Sequence, residues 1–537
     1  MEMKFSKSFI KFLVKFYSTN QLGKEGFQDW RGRLKKVTNE EELNGLLKEI
    51  GTKENADSLL ELYEDVKAEE EAIEKETGEK TLTNEIREIR GAVLLQLTIK
   101  NRNNATEIIV KEFMKDNYVY TTMDDIKPEM WIYKEGVYLP EGRTFVKQFC
   151  RTILGEAYTG HLANTVIGKI EADTGIEYDE FFKQEHTYEV PVKNGILNIK
   201  TKELSEFTPK KIFFNKLPVE FDPDAECPMI DQFLSDVLAS PDDKKVYYEL
   251  AGFGLLKDYK FEKALMLIGD GRNGKSKSLE LLKRLVGVEN CCSIPLGSLT
   301  ASNFSLSELF GKLFNLAGDL SSRDLKYTGT FKGLTGRDTI TAPRKFLRDL
   351  IFTNYAKMVF ACNELPRVYD SSMAFWARWV LLEFPYTFVD QETYDALGEN
   401  KENFKLMDTD IINKITTPEE ISGFLNQALK GLDRLLKNKS FSYSIGTKEV
   451  KDKWIRKSDS FLAFCLDNVK ENYSSKVSKQ KMRNLYSKYC KTHKLRGCSD
   501  LAIKITLQEN YGVTEEFTSE FGVGGQKWCW VGVEIKC

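Results

Sequence analysis

"LIGDGRNGKSKSLELL", from Leu267 to Leu282, decides how the rest of the chain is read. Gly269-Asp270-Gly271-Arg272-Asn273-Gly274-Lys275-Ser276 fits the spacing G-x-x-x-x-G-K-[ST]. Glycines that tolerate positive φ let several backbone N–H groups converge on phosphate oxygens. Lys275 would reach the β- and γ-phosphates of a nucleotide, and the Ser276 hydroxyl would ligate Mg²⁺. Such a loop has meaning only between a strand and a helix. "KALMLIG" before it reads as a buried strand, and "KSKSLELLKRLVG" after it as an amphipathic helix with its N-terminus toward the anion. A glycine-rich turn that merely happens to end in Gly-Lys-Ser would not explain both flanks. The eight loop residues are therefore assigned to nucleotide binding, with ATP and Mg²⁺ as the expected ligands. Lys275 itself is expected on a solvent-facing loop.

Two further apolar strands follow, each with a polar residue at its end. "GKLFNLAGDLSS" delivers Asp319, placed to bind the metal, and "AKMVFACNELP" delivers Asn363, placed to hold an attacking water against the γ-phosphate. Either one, taken alone, is equally readable as an ordinary strand-end residue.

The chain has 537 residues, of which 41% are hydrophobic and 30% charged, so several domains are expected and no apolar run is long enough for a membrane span. Its ten cysteines are scattered and its three histidines lie far apart, which gives no zinc-ligand spacing and favours reduced, buried thiols. The basic, amphipathic "KFSKSFIKFLVKFYSTN" reads as a packing helix, because lysines break its apolar run and no cleavage site follows. Leucines recur among acids from Glu40 to Glu79, as in "KAEEEAIEKE", so residues 1–110 are read as an acidic, helical region. "WIYKEGVYLPEGRTF" and "VPVKNGILNIKTKEL" are strand–turn–strand signals, the first with Gly136 or Gly142 at its turns, and they mark an α+β domain over 111–228. An α/β nucleotide-binding core over 229–437 and a C-terminal domain over 438–537 complete a multidomain α/β chain.

Beyond the loop, "LAGDLSS", "TGTFKGLTGRDTITAPRKF", "FACNELP" and "SSMAFWARWVLLEFP" stand in a fixed order. Together with "NGILNIKTKEL", "FDPDAECP" and "YYELAGFGLL" upstream, they resemble the superfamily 3 helicases of viruses, phages and archaeal plasmids, in the poxvirus and phage primase-helicase branch. The resemblance runs from about Trp131 to the C-terminus and leaves the first hundred or so residues uncovered. It implies an AAA+ core behind a pre-helicase domain, assembled as a ring that is usually a hexamer. It also implies that Arg378 is an arginine finger for the neighbouring subunit, and that Lys345 and Phe346 tip a DNA-gripping hairpin. The chain departs from the pattern in places. Gly318 and Leu320 flank Asp319 where the family pairs acids, so Asp319 either serves metal and water together or shares the work with Asp324. Arg337 stands where a glycine is usual, and Pro343 interrupts the charged run before the tip, so both are expected to bear on the turn's shape.

"KVSKQKMRNLYSKYCKTHKLR" has eight cations and no acid, with Tyr486 and Tyr489 interleaved. Lys479, Lys481, Lys488 and Lys491 are the candidate phosphate contacts on DNA, against the plainer reading of a solvated lysine face. The order helix "SDSFLAFCLDNV", helix Lys479 to His493, helix "SDLAIKITLQENY" and hairpin "FGVGGQKWCWVGVEI" reads as a winged helix. Lys504 is the one base on its third helix, so backbone contact is expected rather than sequence reading. The expectation is an ATP-driven replicative DNA helicase of a virus, phage or plasmid, moving 3′ to 5′ on single-stranded DNA. The region before Trp131 is too short for a primase domain, so a separate primase is the expected partner beside forked DNA, in the host cytoplasm and away from membranes. The rival is an initiator or packaging-type ATPase that remodels DNA without processive unwinding.

Overall fold

A computed structural model describes residues 84–124, 127–183, 185–301, 303–318, 325, 327–370, 372–399, 401–493, 495–518 and 527–536. The basic N-terminal stretch, the acidic run 40–79, Asp319, Asp324, Lys494 and the tip of the C-terminal hairpin lie outside them. The chain divides into two compact units, one reaching Lys183 with residues 209–212, the other holding 184–208 and everything from Phe213 onward.

In the first unit, helices α1 (Asn84–Thr98), α2 (Arg102–Asp116), α3 (Gly142–Leu154) and α4 (Gly160–Asp173) accompany a small sheet. Its strands β1 (Val119–Thr122), β2 (Met130–Lys134), β3 (Val137–Leu139) and β4 (Gly175–Ile176) lie in the order β3-β2-β1-β4. Ile109, Val146, Ile153, Val166 and Ile170 fill the core, at spacings that put one stripe of each helix inward. The β2–β3 turn has Glu135 and Gly136 both at positive φ, as a two-residue hairpin with right-handed strand twist requires. Gly142 is not a turn residue. It opens α3, where a Cβ would lie 2.5 Å from the Met130 side chain.

The second unit opens with the three-stranded meander β5 (Glu189–Val192), β6 (Gly195–Asn198) and β7 (Leu204–Ser205). Helices α5 (Pro228–Val237) and α6 (Pro241–Leu255) lead into a parallel sheet built from β8 (Ala264–Ile268), β9 (Cys291–Cys292), β10 (Phe314–Ala317), β13 (Lys357–Cys362) and β14 (Trp379–Glu383). The order is β14-β8-β13-β10-β9, and every neighbouring pair is parallel. Strands β8, β10 and β13 are buried along their whole length, hence their mainly apolar runs, in which Asn315 and Lys357 are the polar exceptions. Helix α7 (Lys275–Val286) follows β8, and α8 (Gly329–Thr335) precedes the hairpin β11 (Thr339–Arg344) and β12 (Leu347–Thr353).

Helix α9 (Met373–Trp376) stands before β14, the parallel pair β15 (Thr387–Val389) and β16 (Phe404–Leu406) follows it, and α10 (Pro418–Asn438) packs along α6. Glu420 of α10 is buried and accepts the backbone N–H groups of Met229 and Ile230 (both 3.1 Å), capping α5 from another helix. Helix α11 (Thr447–Ser458) carries Trp454, fully buried against Trp376 and Trp379, with its indole N–H on the Pro366 carbonyl (2.8 Å). Losing a buried Trp costs about 3–5 kcal/mol. The C-terminal part runs α12 (Ser460–Asn468), β17 (Val469–Ser478), α13 (Lys479–Thr492), α14 (Asp500–Tyr511), β18 (Thr514–Thr518) and β19 (Lys527–Ile535). Its antiparallel sheet has the order β17-β19-β18. Strand β17 is an addition to the elements expected from sequence. Among the described residues, no helix is long and apolar enough to cross a membrane.

Candidate nucleotide site and nucleic-acid interface

Ligands of open parallel sheets bind beyond the carboxyl ends of the strands, and there β8 releases the chain into its glycine loop. Gly271 and Gly274 take φ of +108° and +88°, and Arg272 between them also turns left-handed at +48°. A non-glycine residue there costs of order 1–3 kcal/mol, so the loop's shape is held against a local preference. Gly269 and Gly274 are required by space too, since a Cβ would lie 1.8 Å from Asn273 Nδ2 or 2.6 Å from Val237. Asn273 is buried and donates to the Phe384 carbonyl at 3.2 Å, tying the loop to the end of β14. Asp270 is exposed.

Lys275 is the first residue of α7 and only 6% exposed, which corrects the expected solvent-facing position. Its ammonium donates to Gly269 O (2.6 Å), Asn273 Oδ1 (2.8 Å) and Asn363 Oδ1 (3.0 Å). The register Cys362↔Ile268 carries Asn363 to the level of Gly269, so the β13 terminus meets the loop directly. Beside it, burial pushes the Cys362 thiol up to about 12, which keeps it protonated and inert. Ser276 is exposed, and Lys275, Ser276 and Asn363 line a cavity of about 810 Å³. Phe233, Val237, Phe388, Leu406 and Ile415 form its apolar wall. One side offers the glycine loop and an ammonium, the other a greasy slot, and the volume suits a nucleotide. Ser276 on the cavity wall is a hard oxygen donor of the kind Mg²⁺ takes. Asp319, the second candidate metal ligand, lies outside the described residues.

A hairpin forms where the motif resemblance implies one. Arg344 pairs with Leu347, so Lys345 and Phe346 are the two-residue tip. Phe346 is 78% exposed at φ +63°, with the Lys345 ammonium 5.0 Å from its ring centre. Pro343 falls at the register shift between Ala342 and Arg344, where its missing N–H breaks no ladder bond.

Arg378 sits at the opposite edge of the sheet. With Trp379 beside Ala264 and Glu383 beside Ile268, it precedes β14 level with Lys263. Six residues at about 3.3 Å each place it roughly 20 Å from Gly269, beyond reach of the loop of its own chain. Its guanidinium is 14% exposed and bonds Glu262 Oε2 (3.3 Å), Thr335 Oγ1 (2.9 Å) and the Ala374 carbonyl (2.6 Å).

The C-terminal cations divide. Lys479 and Lys504 (2.7 Å) both pair with Glu515 of β18, Lys476 pairs with Glu516 (2.9 Å), and Arg483 pairs with Asp500. Lys479, then Lys504, hold the Glu515 carboxyl below its usual range. Lys479 also lies 4.4 Å over the Trp530 ring. Lys481, Lys488 and Lys491 are exposed on α13, and no carboxylate pairs with them among the described residues. Sequence reading missed Glu515, Glu516 and the pocket walls Phe233 and Phe388. An apolar residue flanking a loop gives no sign that it will face a ligand.

Two family models match the chain. One, described as D5 N terminal like, covers residues 11–239, so similarity extends through the N-terminal region that the motif resemblance left out. The other, a family of unknown function (DUF5906), covers 267–378, from within β8 to Arg378. Among curated proteins, the chain is 26% identical over 344 residues to "Putative helicase L207/L206" of Acanthamoeba polyphaga mimivirus, covering 59% of this chain and 35% of that protein. It is 24% identical over 274 residues to "Putative helicase V13" of Sputnik virophage, covering 49% and 34%. The chain thus spans about a third of the length of these relatives. A solved structure of the NrS-1 C-terminal region matches at 15% identity and TM-score 0.41, over 79% of this chain and 98% of that one.

Proposed function

We propose that the chain is an ATP-driven DNA helicase of the superfamily 3, AAA+ type, working in viral replication as a ring, with a hexamer the expected size. The observation that carries the reading is one α/β core holding Lys275 against Asn363 at one edge and an exposed Lys345–Phe346 hairpin elsewhere. Insertion of β13 between β8 and β10 supports the AAA+ assignment, because it sets Asn363 between the phosphate loop and the strand leading to Asp319. The helix–strand–helix–helix–hairpin order at the C-terminus supports a winged helix. Relatives named as putative helicases of viruses support the helicase reading.

In this reading Lys275 leaves its three oxygens for the phosphates, and Asn363 is released to hold the attacking water. Ser276 and Asp319 would hold Mg²⁺, which neutralises phosphate charge when bound. Arg378 supplies charge from a neighbouring subunit, and Lys345 and Phe346 grip one strand of DNA by phosphate contact and base stacking. Movement 3′ to 5′, a separate primase as partner and action in the host cytoplasm belong to the same proposal. ATP hydrolysis measured with and without single-stranded DNA, beside displacement of a strand from a fork, tests it. DNA-stimulated hydrolysis with displacement is expected. Hydrolysis without displacement would favour a remodelling or packaging ATPase, and no stimulation by DNA would overturn the reading.

A further inference from the structure

Arg337 plays no part in the mechanism above, yet its placement is not that of a casual surface residue. Its φ is +68°, a conformation natural to glycine, so backbone preference does not select an arginine there. Glu262, across the same edge, is also left-handed at +49°. The turn 335–337 wraps the Arg378 guanidinium: Thr335 Oγ1 accepts from its Nε at 2.9 Å, and a Cβ on Gly336 would lie 3.3 Å from its Nη2. Arg337 is therefore next to Arg378, but far more open, at 54% exposure against 14%. Among the described residues each arginine rests on one acid, Arg337 on Asp258 (Nε–Oδ1 3.0 Å) and Arg378 on Glu262. A third cation of this edge, Lys263, is committed to the Ala377 carbonyl at 2.5 Å.

This edge is roughly 20 Å of strand from the phosphate loop, so neither arginine can serve the nucleotide of its own chain. An exposed guanidinium held by a single, partly exposed carboxylate exchanges that partner readily for a phosphate, which offers a bidentate, doubly charged acceptor. We propose that Arg337 is a second trans-acting cation: on assembly it leaves Asp258 for the phosphates held by the neighbouring copy's loop, alongside Arg378. The proposal rests on the reading of Arg378 as a finger for a neighbouring subunit.

Arg337→Gly is the informative variant, because glycine suits the backbone and the fold should melt at the wild-type temperature or above. At saturating ATP its turnover is expected to fall roughly 10- to 100-fold, with nucleotide binding unchanged, and Arg337→Lys should restore part of it. Mixed with Lys275→Ala subunits, it should recover activity beyond simple dilution, since some interfaces then pair an intact loop with an intact Arg337. Arg378→Ala mixed with Lys275→Ala is run in parallel, with co-purification of differently tagged subunits to establish mixing. Wild-type turnover in Arg337→Gly, or recovery in the Arg378 mixture alone, overturns the proposal for Arg337. If mixed assemblies form and neither mixture recovers, the trans reading of Arg378 falls, and this inference with it.

Discussion

The nucleotide cleft and the C-terminal basic helix differ in where their cations find partners. Lys275 bonds to oxygens two and six residues away, and to one side chain that β13 delivers by register. Lys479 and Arg483 instead meet carboxylates of β18 and α14 that the run Lys476–Arg496 does not contain. A phosphate-loop motif carries its own geometry within eight residues. A charge run does not carry its counter-charges, and its apparent strength is decided elsewhere in the fold.

The comparison breaks most sharply at the cleft. Lys275→Ala should abolish steady-state ATP hydrolysis, and because the residue is buried, a melting curve must accompany the assay. Hydrolysis at the wild-type level would remove the loop from the mechanism. Arg378→Ala comes next. It should bind ATP normally and turn it over about 10³–10⁵-fold more slowly, the range of arginine fingers in related enzymes. A normal rate would leave Arg378 as the structural tie that its two hydrogen bonds and its ion pair with Glu262 also describe. Lys345→Ala with Phe346→Ala should keep basal hydrolysis and lose strand displacement. Unwinding at the wild-type rate would exclude the hairpin from the DNA path.

Smaller effects sharpen the other side. Replacing Lys481, Lys488 and Lys491 together should weaken DNA binding for all sequences alike and flatten the log K against log salt slope by about 2–3. Lys479→Ala should move that slope far less, because Glu515 already neutralises it. Glu515→Gln should act oppositely, freeing Lys479 and Lys504 and steepening the slope by up to about 1.4–1.8. An equal response to all these lysines would mean that the ion pairs do not persist in solution.

Legibility in the sequence followed the same division. The strand–loop–helix around Lys275 and the end of β13 at Asn363 were readable, because hydrophobic period and turn chemistry act over a few residues, whereas the tip at Lys345–Phe346 came from the motif resemblance alone. The β2–β3 hairpin announced itself through aromatic alternation, although the sequence left Gly136 and Gly142 as equal turn candidates and only Gly136 is at the turn. Sheet order was not readable, since β13 reaches its place by a crossover that no local pattern encodes. Strand β17 escaped because "VKENYSSKVS" is polar, mostly exposed or half-buried, and interrupted by a register shift between Asn472 and Lys476. Arg337 stood out as a departure from a motif, but only its φ shows why glycine suits that position.

Trp454 joins places that the chain keeps apart. Its indole N–H holds Pro366, three residues beyond Asn363, while its ring lies on Trp379, the residue after Arg378. Arg367 and Asp459 fasten the same junction, and Asp459 also caps α12, the first helix of the C-terminal part. In the proposed reading, a shift at Asn363 or at Arg378 would therefore turn the same gear as the C-terminal helices.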